Sequence, residues 1–310
     1  MSPRSRGRSL LLAASLVLVA GAASSCAGGH GPSVGGRPRA NIVLASFNFP
    51  ESVLLAEIYA GALKAHGYTV AVRTDAGPRE IVDPAMARGL VDFVPEYSGS
   101  ALLFFGLGSV DTGPDIRRTH AALFTALAPH GLIPMAPAPA QDANAIVVTR
   151  ATAQRYDLHA VSDLADVANI LTFGGPSECP HRPLCLLGLR ETYGLRFERF
   201  FSLDTGGGLT LQALVSGEID VGLLFTTDPS ISAKHLVVLA DDRGLQPAEN
   251  VTPVIRRTVL TRYGSELGAV VDGVSAKLTT RSVTTLNARL AAGGDPSEVA
   301  RWWLASQGMG

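Results

Sequence analysis

Charge is scarce in this chain. Only 17% of its 310 residues are Asp, Glu, Lys or Arg, the formal net charge is -1, and the sole lysines are Lys64, Lys234 and Lys277. Basic residues are scattered, so there is no electrostatic stripe of the kind a nucleic-acid binder needs. None of the three lysines follows a glycine, which excludes a phosphate-binding loop. Catalytic signatures are missing too: the one G-x-S-x-G match, Gly31 to Gly35, falls in a Gly- and Pro-rich stretch and not between a strand and a helix, there is no H-E-x-x-H pair, and none of the seven histidines sits in a recognisable motif. A secreted enzyme would have to work with Asp142 and Arg182 and without a nucleophile, so the chain is expected not to be an enzyme and to need no cofactor. No apolar run reaches the roughly 20 residues that span a bilayer.

What is present begins with a leader. Arg4, Arg6 and Arg8 precede an apolar stretch from Leu10 to Ala23, and Ser24 and Ser25 lead into Cys26. That order is a secretory signal peptide over residues 1–25. A cysteine directly behind small residues at the cleavage point resembles a bacterial lipobox, with Ala23 standing where leucine is usual. Cys26 is the expected lipid attachment point, at the outer face of the cytoplasmic membrane; the other reading is a plain secreted protein with one free thiol. Residues 26–39, AGGHGPSVGGRPR behind the cysteine, are rich in Gly and Pro and read as a flexible tether with a reach of roughly 20 Å.

The remaining chain has ample apolar content, 46% overall, for one large or two modest domains. Apolar runs at 42–46, 69–73 and 90–95 alternate with helical stretches at 52–66 and 79–88, a βαβ rhythm. The helix from Ser52 carries a near-amphipathic spacing and stops at Gly67. Residues 116–128 form a further helix. The proline-rich IPMAPAPAQDA that follows excludes a helix interior or central strand and is a connector. Beyond it a second set appears: strands at 144–149, 170–173, 198–202 and 219–225, with helices at 152–156, 161–166, 186–193 and 209–216 between them. Residues 235–240 are another strand, and 265–307 are mainly helical and expected to pack on the first lobe, with Asp295-Pro296 opening the last helix.

The expected fold is therefore α/β and two-lobed, with residues 40–138 and 233–310 in lobe 1 and 139–232 in lobe 2. Connectors near 137–142 and 225–232 would form a hinge-bending clamp. In open α/β sheets ligands sit beyond the carboxyl ends of strands. The first strand delivers Ser46-Phe47-Asn48-Phe49 to such an end and a later one delivers Pro95-Glu96-Tyr97-Ser98-Gly99-Ser100, so both segments point at one cleft.

Several motifs in order carry a resemblance. SFNFPES, AEIYAGAL, GPRE at 77–80, PEYSGS, QDANAIVV, CPHRPLCLLGLRETYGL and LTLQALVSGEIDVGLLFTTD are similar to segments of the solute-binding proteins of osmoprotectant ABC importers, the glycine betaine, carnitine and choline group. Within that group the chain most resembles actinobacterial lipoproteins of the ProX type. The resemblance covers nearly the whole mature chain. It implies a periplasmic-binding-protein fold of type II, a monomer, a small-molecule solute as ligand, and ABC permease and ATPase subunits as partners. A quaternary ammonium donates no strong hydrogen bond, so such sites hold it by cation–π attraction, each ring contributing about 0.5–2 kcal/mol. The accompanying carboxylate is gripped by donors, preferably a bidentate arginine.

Carried over position by position, the resemblance implies Tyr97 and Phe225 as cage rings, Ser100 as a hydroxyl on the carboxylate, Asp142 as an acid beside the cage and Arg182 as the carboxylate grip. Three positions depart: Phe47 stands where a lysine or other polar residue is frequent, and Asn144 and Leu211 replace tyrosines. Two lost rings remove on the order of 1–4 kcal/mol unless Phe47 or Phe49 takes their space. A larger, partly aromatic or amphipathic solute, walled by Phe47, Phe49, Leu211 and Phe225, is the alternative.

Each residue also has a plainer reading. Tyr97 suits a packed turn, Arg182 a surface charge, and the phenylalanines a core. Cys179 and Cys185, with His181 between them, are either metal ligands or a disulfide; a structural zinc site usually takes four ligands and no second cysteine pair exists, and export favours the disulfide. No metal is expected. Gly206 to Gly208 form either a turn or a set of backbone donors for an anion.

Overall fold

A computed structural model describes residues 41–106 and 113–310. The leader over 1–25, the tether over 26–39 and the lipid attachment at Cys26 lie outside the described residues. Among those described, no helix is long and apolar enough to cross a membrane.

In chain order the elements are β1 (Ile42–Ala45), α1 (Pro50–Ala65), β2 (Val70–Arg73), α2 (Arg79–Ala87), β3 (Phe93–Tyr97), α3 (Ser98–Phe105), α4 (Ile116–Leu127) and β4 (Leu132–Pro134). There follow β5 (Asn144–Val148), α5 (Arg150–Tyr156), β6 (Thr172–Pro176), α6 (Leu186–Tyr193), β7 (Arg199–Leu203), α7 (Gly208–Ser216), β8 (Val221–Phe225), α8 (Pro229–Ala233) and β9 (Val237–Val238). The chain ends with β10 (Val251–Arg256), α9 (Arg257–Tyr263), α10 (Ser265–Ser275), α11 (Thr280–Ala291) and α12 (Pro296–Ser306).

Two five-stranded sheets result, ordered β2-β1-β3-β10-β4 and β7-β6-β8-β5-β9. In the first, β1 runs parallel to β2 and β3, while β10 runs antiparallel to β3 and β4. The second repeats the scheme, with β6 parallel to β7 and β8, and β5 antiparallel to β8 and β9. The proline-rich connector contributes Pro134 to β4, an edge strand, where a missing N–H costs no ladder bond.

Helix α1 departs from the amphipathic expectation. Eleven of its residues from Glu51 to Leu63 are buried, because α10 and α12 cover the face turned away from the sheet. A helix that is apolar on all sides belongs inside a core. The C-terminal helices do pack on the first lobe, as Val299, Trp303 and Leu304 join the same cluster as Leu54, Ile58 and Leu63. The second sheet has a cluster on each face, one around Phe173 and Leu189, the other around Val147 and Leu214.

The boundary of the second lobe needs correction. After β8 the chain touches the first lobe through α8 against α11, as the connector expected near 225–232 implies, but it then goes back. Val237 and Val238 pair with Val148 and Val147, Ala240 bridges Ala160, and Leu239 and Leu245 pack with the second-lobe core. The second lobe thus extends past residue 232, because β5 has a free edge that the apolar run after α8 completes. The last return to the first lobe runs through 247–250 into β10.

Candidate functional site

The turn after β1 is fixed by short hydrogen bonds. Buried Ser46 donates from Oγ to the Phe47 carbonyl at 2.9 Å and accepts from the Asp75 N–H at 3.0 Å. Ser52 Oγ accepts from the Phe47 N–H at 2.9 Å. Phe49 is extended at the N-cap of α1 and Pro50 occupies the first helical position, where its missing N–H is harmless. Phe47 and Phe49 consequently stand at the end of β1, facing a cavity of about 300 Å³ between the two lobes.

Four rings meet there. Phe49 is central: its centroid lies 6.1 Å from Phe47, 6.0 Å from Tyr97 and 5.1 Å from Phe225. The first three belong to the first lobe and Phe225 ends β8 of the second, so the aromatic cluster crosses the cleft. Phe225 leans on a glycine. Gly206 has φ +59°, and a β carbon there would stand 2.4 Å from Phe225 Cδ2. Gly206→Ala is expected to lower stability by about 1–3 kcal/mol through backbone strain and displacement of that ring, read as a lower urea midpoint.

The carboxylates form two groups. In the first, Glu51 accepts from Tyr97 Oη at 2.7 Å, Thr227 Oγ1 at 2.5 Å and Asn287 Nδ2 at 2.6 Å. Asp142 Oδ1 accepts from Thr226 Oγ1 at 3.1 Å and the Thr227 N–H at 2.9 Å, while buried Oδ2 has no hydrogen-bond partner. Burial, and then the Glu51 carboxylate, push the Asp142 carboxyl well above its ordinary range, against the Thr226 and Thr227 donors. Burial and the same carboxylate also raise the Tyr97 phenol.

The second group surrounds Arg79, which lies 4.9 Å over the Phe47 ring. Its guanidinium donates to Glu96 Oε1 at 3.2 Å and Oε2 at 2.9 Å, with Asp83 at 3.8 Å. Behind Ser100, Glu249 accepts from the Ser100 hydroxyl and from the Gly99 and Ser100 N–H groups at 3.1 Å each. Burial raises Glu249 to about 7 despite those donors.

Of the residues singled out from sequence, Tyr97, Ser100, Asp142, Arg182, Phe225, Phe47 and Asn144 all line the cavity. Leu211 does not. It packs beneath α7 with Ala145, Val147 and Leu214, because Leu211 and Leu214 share the helix face turned to the second sheet. Asn144 donates from Nδ2 to the Leu184 carbonyl at 3.0 Å and to Gln246 Oε1 at 3.4 Å, a polar contact to the second-lobe wall. Ser100, expected on a ligand carboxylate, is bound to Glu249 instead. Arg182 pairs with Glu80 of the first lobe, at 3.1 and 2.8 Å.

Cys179 and Cys185 form a disulfide with Cα atoms 5.2 Å apart, closing the loop that carries His181, Arg182 and Pro183 to the cavity wall. Among the described residues no group of His, Cys, Asp and Glu is placed to hold a metal ion. The glycines before α7 make a turn, and the first free N–H groups of the helix behind it are taken by the protein's own carboxylate: Asp204 accepts from the Leu209 and Thr210 N–H groups at 2.9 Å each.

Glu51, Arg79, Glu80 and Glu249 were not identified from sequence as site residues. Glu51 sits inside the SFNFPES motif, and Arg79 and Glu80 inside GPRE, so motif membership was the available signal. Glu249 had none.

Residues 40–306 match the family described as the substrate binding domain of ABC-type glycine betaine transport system. Among curated relatives, the glycine betaine-binding protein YehZ of Escherichia coli is 27% identical over 83% of this chain and 88% of its own length. A glycine-betaine-binding protein of Pseudomonas aeruginosa is 28% identical over 78% of this chain and 79% of its own. In fold, the chain is similar to a crystal structure of a glycine betaine/carnitine/choline ABC transporter, with a TM-score of 0.66 and 24% identity over 86% of this chain and 99% of that one. With two sheets of matching order, a cavity between them and a family match that spans all the described elements, the chain belongs to the substrate-binding domains of ABC-type glycine betaine transport systems, solute-binding transport proteins of the type II periplasmic-binding-protein fold.

Proposed function

We propose that this protein is the extracytoplasmic solute receptor of an ABC importer, held at the outer face of the cytoplasmic membrane by a lipid on Cys26. It captures a small quaternary ammonium solute of the glycine betaine, choline and carnitine class and delivers it to a permease driven by an ATPase. The observation that carries this reading is the convergence of Phe47, Phe49, Tyr97 and Phe225 on one cavity that also holds Asp142. Phe47 and Phe49 add two rings to the cavity wall, where Asn144 presents an amide and Leu211 is not among the lining residues. Each ring face attracts the ammonium, and Asp142, otherwise driven toward its neutral form, is ionised by the incoming cation. Because Phe49 and Phe225 come from opposite lobes, the solute binds the closed form better than the open one and shifts the population toward it.

Isothermal titration of the mature chain tests the proposal. Micromolar binding of glycine betaine, choline or carnitine is the expected result, and silence from all three would sink it. A second reading has its own support: Leu103, Phe104, Leu184 and Leu223 extend the apolar wall beyond the four rings. An aromatic zwitterion or amphipathic solute would use that wall, and heat from such a solute with none from glycine betaine would favour it.

Arg182→Ala separates the two ends of the ligand. Loss of a charge-assisted pair is expected to weaken glycine betaine by about tenfold to a hundredfold and choline hardly at all. Equal losses for both would remove Arg182 from the carboxylate role.

A further inference from the structure

Outside the connectors, the polar contacts between the two lobes among the described residues reduce to one pair. Glu80, in the first turn of α2, meets Arg182, in the disulfide-closed loop of the second lobe, with Nε donating to Oε1 at 3.1 Å and an Nη2 hydrogen to Oε2 at 2.8 Å. Both side chains line the cavity. The geometry is the parallel two-bond fork that a ligand carboxylate would form with the same guanidinium. Arg79, the other cavity arginine, is engaged by Glu96 in the same forked way, so the Nε edge of each guanidinium, its side-on bidentate face, is taken by a carboxylate of the first lobe.

From this we infer that Glu80 is a specificity-determining residue: an internal carboxylate that occupies Arg182 from across the cleft, holds the ligand-free lobes together, and selects a solute without a carboxylate of its own. This rests on the quaternary ammonium reading above. A zwitterion must displace Glu80 to take the Nε edge of Arg182, and whether Glu80 is displaced or stays, two carboxylates share the same closed space around one guanidinium. A cation with a neutral far end leaves the pair in place. Although burial raises the Glu80 carboxyl, its hydrogen bond to Arg182 and the charge of Arg182 are among the effects that outweigh it and leave it below its ordinary value, so the fork is ionic at neutral pH. The pair is partly exposed, with side chains 25% and 44% accessible, and its strength is that of a screened pair.

The test uses the mature chain, Glu80→Gln and Glu80→Ala, with titration of glycine betaine and choline and small-angle scattering of each protein without ligand. Wild type is expected to bind choline more tightly than glycine betaine. Freeing Arg182 is expected to improve glycine betaine by about fivefold relative to choline. Both variants should also show a larger ligand-free radius of gyration. An unchanged ratio of the two affinities in both variants would overturn the selectivity assigned to Glu80. Should neither solute bind any of the proteins, the quaternary ammonium reading falls, and scattering alone decides: an unchanged radius overturns the inference, and a larger one upholds Glu80 as the tie between the lobes.

Discussion

Glu51→Ala is expected to lower the unfolding free energy by about 3–5 kcal/mol, the cost of leaving several buried donors without an acceptor. Glu51 is 4% exposed and takes hydrogen bonds from three places that are distant in sequence: Tyr97 at the end of β3, Thr227 after β8 and Asn287 in α11. Each lost bond to a charged acceptor is worth about 1.5–3 kcal/mol, but the losses do not add in full. Asn287 Nδ2 already lies 3.0 Å from Thr227 Oγ1, so those two groups keep each other when the carboxylate goes. Tyr97 Oη and Thr227 Oγ1 lose an acceptor with no replacement among their recorded contacts. Urea unfolding read at constant m gives the value. Glu51→Gln separates charge from hydrogen bonding: one amide oxygen can still accept, and its loss is expected to be about half as large. A loss under about 1 kcal/mol for the alanine variant would show that the three donors are satisfied without Glu51.

The position of Glu51 gives that variant a second consequence. Thr227 and Asp142 lie on segments that pass between the lobes, and Tyr97 is a ring of the cavity. One carboxylate therefore ties a cage ring to the hinge region. Its removal is expected to loosen Tyr97 and both connectors together, so that ligand affinity falls along with stability.

How much of this was readable in advance depends on the range of the interactions. The βαβ rhythm, the strand ends at Phe47 and Tyr97 and the connector at 137–142 follow from local pattern, since a strand of alternating or continuous apolar residues closed by a turn is specified within about ten residues. The loop holding Arg182 was visible through its two cysteines and prolines. Glu51 was not, because a glutamate in the first turn of a helix normally answers the helix dipole at the surface. Only contacts up to 236 residues away make it a buried hub. Glu249 lies in a loop before β10 and becomes a wall residue because α3 presents Gly99 and Ser100 to it. Leu211 failed for the opposite reason. Motif alignment put it beside the ligand, whereas the helical period puts it three residues from Leu214 on the face that packs against the sheet. The same limit explains β9: two valines after α8 give no hint that the chain has gone back to complete an edge.

Glu249 supplies the sharpest pH dependence. Its carboxyl is raised from an ordinary 4.5 to about 7, chiefly by burial, with the Ser100 hydroxyl and N–H and the Arg79 charge acting in the other direction. Below pH 4.5 the group is protonated in both folded and unfolded chains and costs nothing. Between 4.5 and about 7 the unfolded chain gives up its proton while the folded chain keeps it, so stability from this site falls as pH rises. Above about 7 the loss is complete, at roughly 3 kcal/mol for a shift of this size. Glu249→Gln removes the slope. The absolute stability of the variant is set off by a separate effect, because an amide nitrogen facing the Gly99 or Ser100 N–H cannot accept from it. The diagnostic is therefore the difference between variant and wild type across pH, which cancels the contributions of Asp142 and Asp83, both raised by burial in the two proteins alike. That difference is expected to move in favour of the variant by about 3 kcal/mol from pH 4 to pH 8, measured by urea unfolding in matched buffers. A difference that stays flat would mean that Glu249 ionises inside the fold as readily as outside it. In that event its three donors and Arg79 offset the full cost of burial, and the cavity wall behind Ser100 carries a permanent negative charge.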